Sequence, residues 1–258
     1  MEKLYEQNFF YFLIRSWNSF QYFDRCINSV LSQTYKSYKI LFVDDASDYT
    51  RKQKEHIKRK LKNHVAVFNQ TRKYSVYNGY KMINVYAKKK DSITIFLDGD
   101  DWFKDKNALS YISNTYEAEK VNFTYGSCLF WNGKNYLKYH SLYSAYLNTV
   151  YPELTIKKHL YRFEPFRISH PMTFKTSLFK LVKEKDFKEE NGSWLKYELD
   201  LAIFLPMLEM TKGNFRMIKK PLYAYNISSP NINIRVNPYE FAREELIIRM
   251  KKSYESIT

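Results

Sequence analysis

Ile93-Thr-Ile-Phe-Leu-Asp-Gly-Asp-Asp-Trp102 opens as a short run of apolar and β-branched residues and ends with three carboxylates, Asp98, Asp100 and Asp101, in four positions. A continuous apolar run of this length reads as a strand buried on both faces, and such strands belong to parallel sheets covered by helices. Lys39-Ile-Leu-Phe-Val-Asp-Asp-Ala-Ser47 has the same build, an apolar run closed by the turn-forming acidic pair Asp44 and Asp45. Ligands of open parallel sheets bind beyond the carboxyl ends of the strands. Two acidic strand ends therefore predict one site.

Outward from these runs the first hundred residues alternate strand and helix signals. Phe9–Ile14 is a further buried strand and Val65–Phe68 a weaker one. Asn18, with Gln21 three residues on, reads as the cap of a helix whose apolar face is Phe20, Phe23, Ile27, Val30 and Leu31. A charged helix is expected over 49–62 and another over 75–87. Such alternation predicts an α/β fold with a mostly parallel central sheet flanked by helices. The second half is less regular. Residues 121–131 read as a hairpin or paired strands, 197–210 as a helix that Pro206 kinks or interrupts, 217–225 as short extended segments, and 239–254 as a basic terminal helix.

The chain has 258 residues, 45% of them hydrophobic and 18% aromatic, which excludes a disordered chain; 6 Gly and 7 Pro leave little room for flexible linkers. One domain is the expectation. The net charge of +15 would attract polyanions. A Lys-, Asn-, Ile- and Tyr-rich composition is also what AT-rich coding produces, in a microbe or a large DNA virus, so compositional drift is favoured over a nucleic-acid partner. Cys26 and Cys128 stand in no Cys-x-x-Cys or Cys/His cluster, which argues against zinc and for free thiols in a reducing compartment. Phe9–Ile14 is too short for a signal peptide, and no stretch approaches the roughly 18 apolar residues of a spanning helix. The expectation is a cytoplasmic protein without a transmembrane segment, in the host cytoplasm if the source is viral.

Side chains two apart on an extended segment point the same way, so Asp98 and Asp100 can share a ligand. Crowded carboxylates repel unless a cation lies between them. Oxygen ligands suit Mg²⁺ or Mn²⁺, with Asp101 as a third ligand. The competing reading is a solvated acidic turn in which Gly99 supplies backbone freedom.

Four segments occur in a telling order: Ile14-Arg-Ser-Trp-Asn18, Ser29-Val-Leu-Ser-Gln-Thr-Tyr35, Val43-Asp-Asp-Ala-Ser47 and Leu97-Asp-Gly-Asp-Asp-Trp102. Their spacing resembles that of family-two glycosyltransferases, inverting enzymes of the GT-A fold that use nucleotide-sugar donors. The likeness covers about the first 105 residues. It implies that 1–105 is a nucleotide-binding half and 106–258 an acceptor-side half with a C-terminal helix. It also implies that Arg15, Trp17 and Asn18 lie against the nucleotide base, and that Asp44 or Asp45 hydrogen-bonds the base or ribose. Asp98, Gly99 and Asp100 would sit at the diphosphate and its Mn²⁺ or Mg²⁺ ion. Arg72, Lys73 and Asn78 would approach the donor sugar and phosphates. Uridine diphosphate is the carrier that relatives favour.

Such a transfer needs a general base. The resemblance puts it on a helix well after the Asp-x-Asp motif, where Asp200 is the first choice and Glu198 the second; a carboxylate that only stabilises the helix N-terminus is the competing reading. Arg167 and His170 resemble an acceptor-side segment. The acceptor is a glycan, protein or lipid. Two departures are visible: Arg72-Lys-Tyr-Ser75 replaces the usual Asn-x-Gly, and the Gln-x-x-Arg-Trp signature of processive synthases is absent, which favours transfer of single sugars.

Three other readings compete. Gly99-Asp100-Asp101 resembles the turn of viral RNA polymerases, but the chain is short for one. Asp98-x-Asp100 resembles metal-dependent phosphatases of the haloacid-dehalogenase type, which carry the motif near the chain start. A non-catalytic sugar- or nucleic-acid-binding module could also retain the fold. The 29–47 stretch is unexplained by a polymerase, Trp102 stands where the phosphatases carry Thr or Val, and the intact Asp98 and Asp100 pair argues against lost catalysis.

Overall fold

The computed structural model describes residues 8–139, 147, 149–230 and 237–257. β1 (Phe9–Ser16), β2 (Tyr38–Asp44), β3 (Val65–Phe68) and β4 (Ser92–Asp98) follow the expected runs. They alternate with α1 (Phe20–Leu31), α2 (Arg51–Lys60) and α3 (Tyr74–Tyr86). After β5 (Trp102–Phe103) come α4 (Ala108–Glu119), β6 (Phe123–Trp131), β7 (Tyr136–Leu137), α5 (Glu153–Lys158), β8 (Thr173–Lys175), α6 (Thr176–Phe179), α7 (Leu199–Thr211), β9 (Phe215–Asn226) and α8 (Pro238–Met250). The sheet order is β3-β2-β1-β4-β8-β6-β9-β5, with β7 on β6. β3, β2, β1 and β4 are mutually parallel; β8 is antiparallel to both β4 and β6, β9 runs parallel to β6, and β5 closes the edge antiparallel to β9. The result is a mixed α/β sheet, parallel in its first half, as expected.

Period-two alternation divides the core. Phe10, Phe12 and Ile14 of β1 pack with Ile40 and Phe42 of β2, Ile95 and Leu97 of β4, and the apolar faces of α1 and α4. Tyr11, Leu13, Leu41, Val43 and Phe96 point to the other side, against α3 and the buried, mostly apolar α7. Each fully buried Phe, Leu or Ile contributes about 1.5–3 kcal/mol relative to exposure. No helix among the described residues is long and apolar enough to cross a membrane. Cys26 and Cys128 are both buried, and neither forms a disulfide.

Five details depart from the sequence reading. Asn18 is not the cap of α1: it adopts a left-handed φ of 48°, its N–H donates to Ser47 Oγ (2.7 Å) and its Oδ1 accepts from the Asp48 N–H (3.1 Å), tying two loops together. Position 121–131 holds one nine-residue strand, which pairs with the nearby β7 and with the distant β8 and β9, and β9 is a single strand where separate short segments were expected. α7 runs through Pro206 unbroken, because every residue from Leu201 to Thr211 is buried and packing outweighs one lost hydrogen bond. Finally, α4 was not foreseen. Its first turn is organised from α1: Gln33 Oε1 accepts from the Leu109 N–H (3.1 Å), while its Nε2 donates to the Ser29 and Asp105 carbonyls (3.0 and 2.8 Å).

The terminal helix is fastened to α7 by two buried polar groups. Arg162 donates from Nε and Nη2 to both oxygens of Glu209 on α7 (2.6 and 3.0 Å) and from Nη1 to the Ile248 carbonyl (2.6 Å). Glu244 of α8, fully buried, accepts from the N–H groups of Lys196 (2.6 Å), Tyr197 (2.8 Å) and Glu198 (3.1 Å), which lead into α7. α7 has no side-chain cap of its own, so Glu244 serves as one from another helix.

Glu209→Gln leaves the Arg162 charge uncompensated, and urea titration is expected to register a loss of about 3–5 kcal/mol. Glu244→Leu strands three buried donors at about 1–3 kcal/mol each. It should lower the thermal midpoint more than Glu244→Gln, which keeps one acceptor oxygen; equal midpoints for the two variants would remove the capping role.

Candidate functional site

A cavity of about 630 Å³ opens at the carboxyl ends of β1, β2 and β4, between the N-terminal ends of α3, α7 and α8. Sheet register builds its centre. Arg15 pairs directly with Asp98 across β1 and β4. Both continue the face of Leu13 and Phe96, so both point toward α3 and α7. The Arg15 guanidinium donates from Nη2 to Asp98 Oδ1 (2.7 Å) and from Nη1 to Ser75 Oγ (2.8 Å); Nη1 also lies 3.7 Å from Asp200 Oδ1. One cation thus joins the acidic strand end to the first turn of α7.

The same alternation separates Asp44 from Asp45. Asp44 follows the face of Ile40 and Phe42, is fully buried and accepts from the Ser47 N–H (3.2 Å) and the Ser47 hydroxyl, away from the cavity. Asp45 lines the cavity. It accepts from Asn69 Nδ2 (3.0 Å) and from the N–H groups of Lys73 (2.7 Å) and Tyr74 (2.9 Å), which makes it the anchor of the α3 N-terminus. Arg72 stacks on Trp17, its guanidinium carbon 3.4 Å from the ring centroid, with Nε 3.8 Å from Asp45 Oδ2. Asn78, on α3, lines the cavity too; Lys73 is exposed and joins only through its backbone.

Asp98, Asp100 and Asp101 all reach the cavity wall, but Asp101 is already engaged. Its Oδ2 accepts from the Tyr223 hydroxyl (2.8 Å) and its Oδ1 from the Asn226 N–H (2.7 Å), so it tethers the acidic turn to β9. The expected three-carboxylate metal set is therefore not assembled. Among the described residues no group of three or more His, Cys, Asp or Glu side chains converges as ligands. Asp98 and Asp100 are what a cation would have. Burial first, then the charge of Asp98, pushes the Asp100 carboxyl up to about 6. A divalent ion would relieve that repulsion, so the pair fits one. Gly99 lies between them because nothing larger fits: its N–H donates to the Arg15 carbonyl (2.8 Å), and a Cβ would stand 2.9 Å from that oxygen and from Ser19 Oγ.

Asp200 and Glu198 face the cavity at the start of α7. Burial raises the Asp200 carboxyl above its ordinary range against the pull of Arg15 and His170; burial and then Asp200 raise Glu198 well above its own. α7 sits this close to α3 because Gly79 has no side chain: a Cβ there would meet Leu199 Cδ2 at 2.3 Å. His170 lines the cavity, stacked on Tyr223 at 4.6 Å with Nε2 3.9 Å from Asp98 Oδ2, and burial lowers its pKa. Arg167 does not line it. Its neighbours Phe166 and Ile168 do, while Arg167 turns outward to Thr149 Oγ1 (2.9 Å) and Glu164 Oε2 (3.2 Å).

Sequence reasoning missed three contributors. Ser75 holds Arg15, Tyr223 holds Asp101, and Glu244 holds the α7 entry. The first stood in plain view beside Arg72; the others lie over a hundred residues from the groups they serve in the first case, and on a helix legible only as basic in the second. Four buried polar atoms of the wall, Arg15 Nε, Arg72 Nε, His170 Nδ1 and Asp200 Oδ1, have no hydrogen-bond partner among the described residues. Buried polar atoms are seldom left so unless a water, an ion or a ligand completes them.

Comparison with known proteins bears on the fold. Staphylococcus aureus TarS superimposes with a TM-score of 0.62 at 17% identity, over 92% of this chain and 38% of that one. Its 1–349 portion in complex with UDP gives 0.64 at 18%, over 93% and 64%. The mannosyltransferase PcManGT from Pyrobaculum calidifontis, in complex with GDP-Man and Mn²⁺, gives 0.58 at 13%, over 97% and 67%. The chain thus spans well under half of full TarS, and at these identities the likeness speaks for the GT-A type fold. No curated protein matches the chain by sequence. The family model described as "Glycosyl transferase family 2" matches residues 11–189. Since that match takes in more than half of its residues, the chain belongs to glycosyl transferase family 2.

Proposed function

We propose that the protein transfers one sugar from a nucleoside diphosphate sugar, with uridine diphosphate as the carrier, to an acceptor hydroxyl with inversion at the anomeric carbon. The observation that carries this reading is Arg15 between Asp98 and Asp200: it couples a diphosphate-side carboxylate to a carboxylate free to take a proton. Neighbours of the same fold are described in complex with UDP, UDP-GlcNAc, GDP-Man and Mn²⁺.

In this reading the base lies against Trp17 and Arg72, within reach of Asp45. Asp98 and Asp100 would hold Mn²⁺ or Mg²⁺. A bound divalent ion would supply charge stabilisation to the departing diphosphate. Arg15 lies beside the same carboxylates and adds positive charge where the leaving group gains negative charge. The acceptor oxygen bonds to the anomeric carbon as the bond from that carbon to the diphosphate oxygen breaks with its electron pair. The acceptor proton passes to Asp200 Oδ1, which has a vacant lone pair and, through burial, more basicity than an ordinary carboxylate. Glu198 is the second choice for that role. Cys26 and Cys128, reduced and buried, suit a cytoplasm.

Two variants test the assignment. Wild-type protein should gain thermal stability from UDP only when Mn²⁺ is present, as mass action on the native state requires. Asp100→Ala should abolish that gain while the unliganded protein stays folded; an undiminished gain would take the metal role from Asp100. Asp200→Asn should keep the UDP and Mn²⁺ response and lose transfer by about 100-fold or more, the usual effect of a missing base. Near-normal turnover in Asp200→Asn would move the base elsewhere.

A further inference from the structure

The cavity has two unlike walls. The first hundred residues contribute charged or polar side chains to it, apart from Trp17 and Tyr74. The second half contributes the apolar side chains, with Ile168 and Met172 before β8, Leu201 on α7, Ile227 after β9, and Phe241 and Ala242 on α8, next to polar groups that include His170, Glu198, Asp200 and Glu245. The hydroxyl- and phosphate-bearing parts of a nucleoside diphosphate sugar gain little from these apolar side chains. A free sugar held there would lose hydrogen bonds to water and regain few.

The apolar surface continues past the cavity mouth. Ala242, Leu246 and Met250 recur every four residues and so share one face of α8. Ala242 lines the cavity, while Leu246 is 60% and Met250 79% exposed. At 1.5 Å per residue this stripe is about 12 Å long. Arg249 donates to the carbonyls of Arg162 and Glu164 (2.8 and 3.0 Å), which fixes Phe163, 87% exposed, beside the same end of the helix. A stripe that begins inside a reaction cavity and runs outward has the form of a track for a chain.

We propose that the acceptor is an amphiphile, with its hydroxyl-bearing head at Asp200 and a hydrocarbon chain that leaves past Ile168 and Phe241 along the Ala242–Leu246–Met250 face of α8. The inference rests on the glycosyl-transfer reading and assigns only the acceptor's body; the bonds made and broken are those given above.

The test uses n-alkyl β-glucosides from hexyl to decyl, each below its micelle concentration, titrated calorimetrically into the full chain with UDP and Mn²⁺ present. Each added methylene should tighten Kd about threefold to fourfold, as burial of one CH₂ requires. Ala242→Glu should weaken every member tenfold or more. Leu246→Glu combined with Met250→Glu, both at exposed positions, should remove the gain only for the longest chains. Affinity independent of chain length would overturn the proposal, as would the same length dependence in Ala242→Glu, because the chain would then bind elsewhere. The UDP and Mn²⁺ thermal shift of the wild-type protein separates the two ideas. If it persists while chain length has no effect, the amphiphile is wrong and the donor site stands. If it is absent, the transferase reading falls, and the assignment of the chain to an acceptor falls with it.

Discussion

The pairing of Arg15 with Asp98 is the contact on which the rest of the site depends. It exists because β1 and β4 are parallel neighbours in a register that sets these two residues side by side on one face. A carboxylate at a strand end repels the others crowded behind it; a guanidinium held 2.7 Å away offsets that repulsion and leaves further donors for Ser75 and Asp200. Shifting either strand by one residue would turn one of the pair into the opposite core. The register is secured by the apolar residues on both faces, so the large hydrophobic core and the small charged cluster specify the same arrangement.

The polar groups around this centre fall into two kinds. Asp44, Asp101, Glu244 and Gln33 accept hydrogen bonds from backbone amides and hold loops or helix ends in place. Arg15, Arg72, His170 and Asp200 each keep a buried polar atom without a partner among the described residues. The first group makes the second affordable: unsatisfied polar atoms persist only where the surroundings are otherwise well satisfied and rigid.

The first half of the fold was legible because its signals are local. Continuous apolar runs gave the four parallel strands, and acidic strand ends located the cavity. The choice between Asp44 and Asp45 was also present in the sequence, since counting by twos from Leu41 and Val43 puts Asp45 on the cavity side. The second half resisted for the opposite reason. β6 pairs with β8 and β9, some 50 to 90 residues away, and nothing local marks those partners. Asn18 looked like a cap because caps favour Asn, but the loop needed a left-handed residue there, which Asn also tolerates. Pro206 looked like a break because propensity ignores burial. Asp101 looked like a metal ligand because sequence shows carboxylates but not the hydroxyl and amide that occupy them.

Glu244 has a consequence for how the molecule comes into being. Strands β1 to β4 lie within the first hundred residues and can pair as they leave the ribosome, since domains fold as their parts emerge. The amides that open α7, at 196–198, have no such freedom: their acceptor is a carboxylate synthesised more than forty residues later. Until α8 arrives, the helix bearing Asp200 has an unfinished end, and the nascent chain can form its first four strands well before it can fix the start of α7. The order of synthesis thus delays the placing of the Asp200 carboxylate to the last stage of assembly.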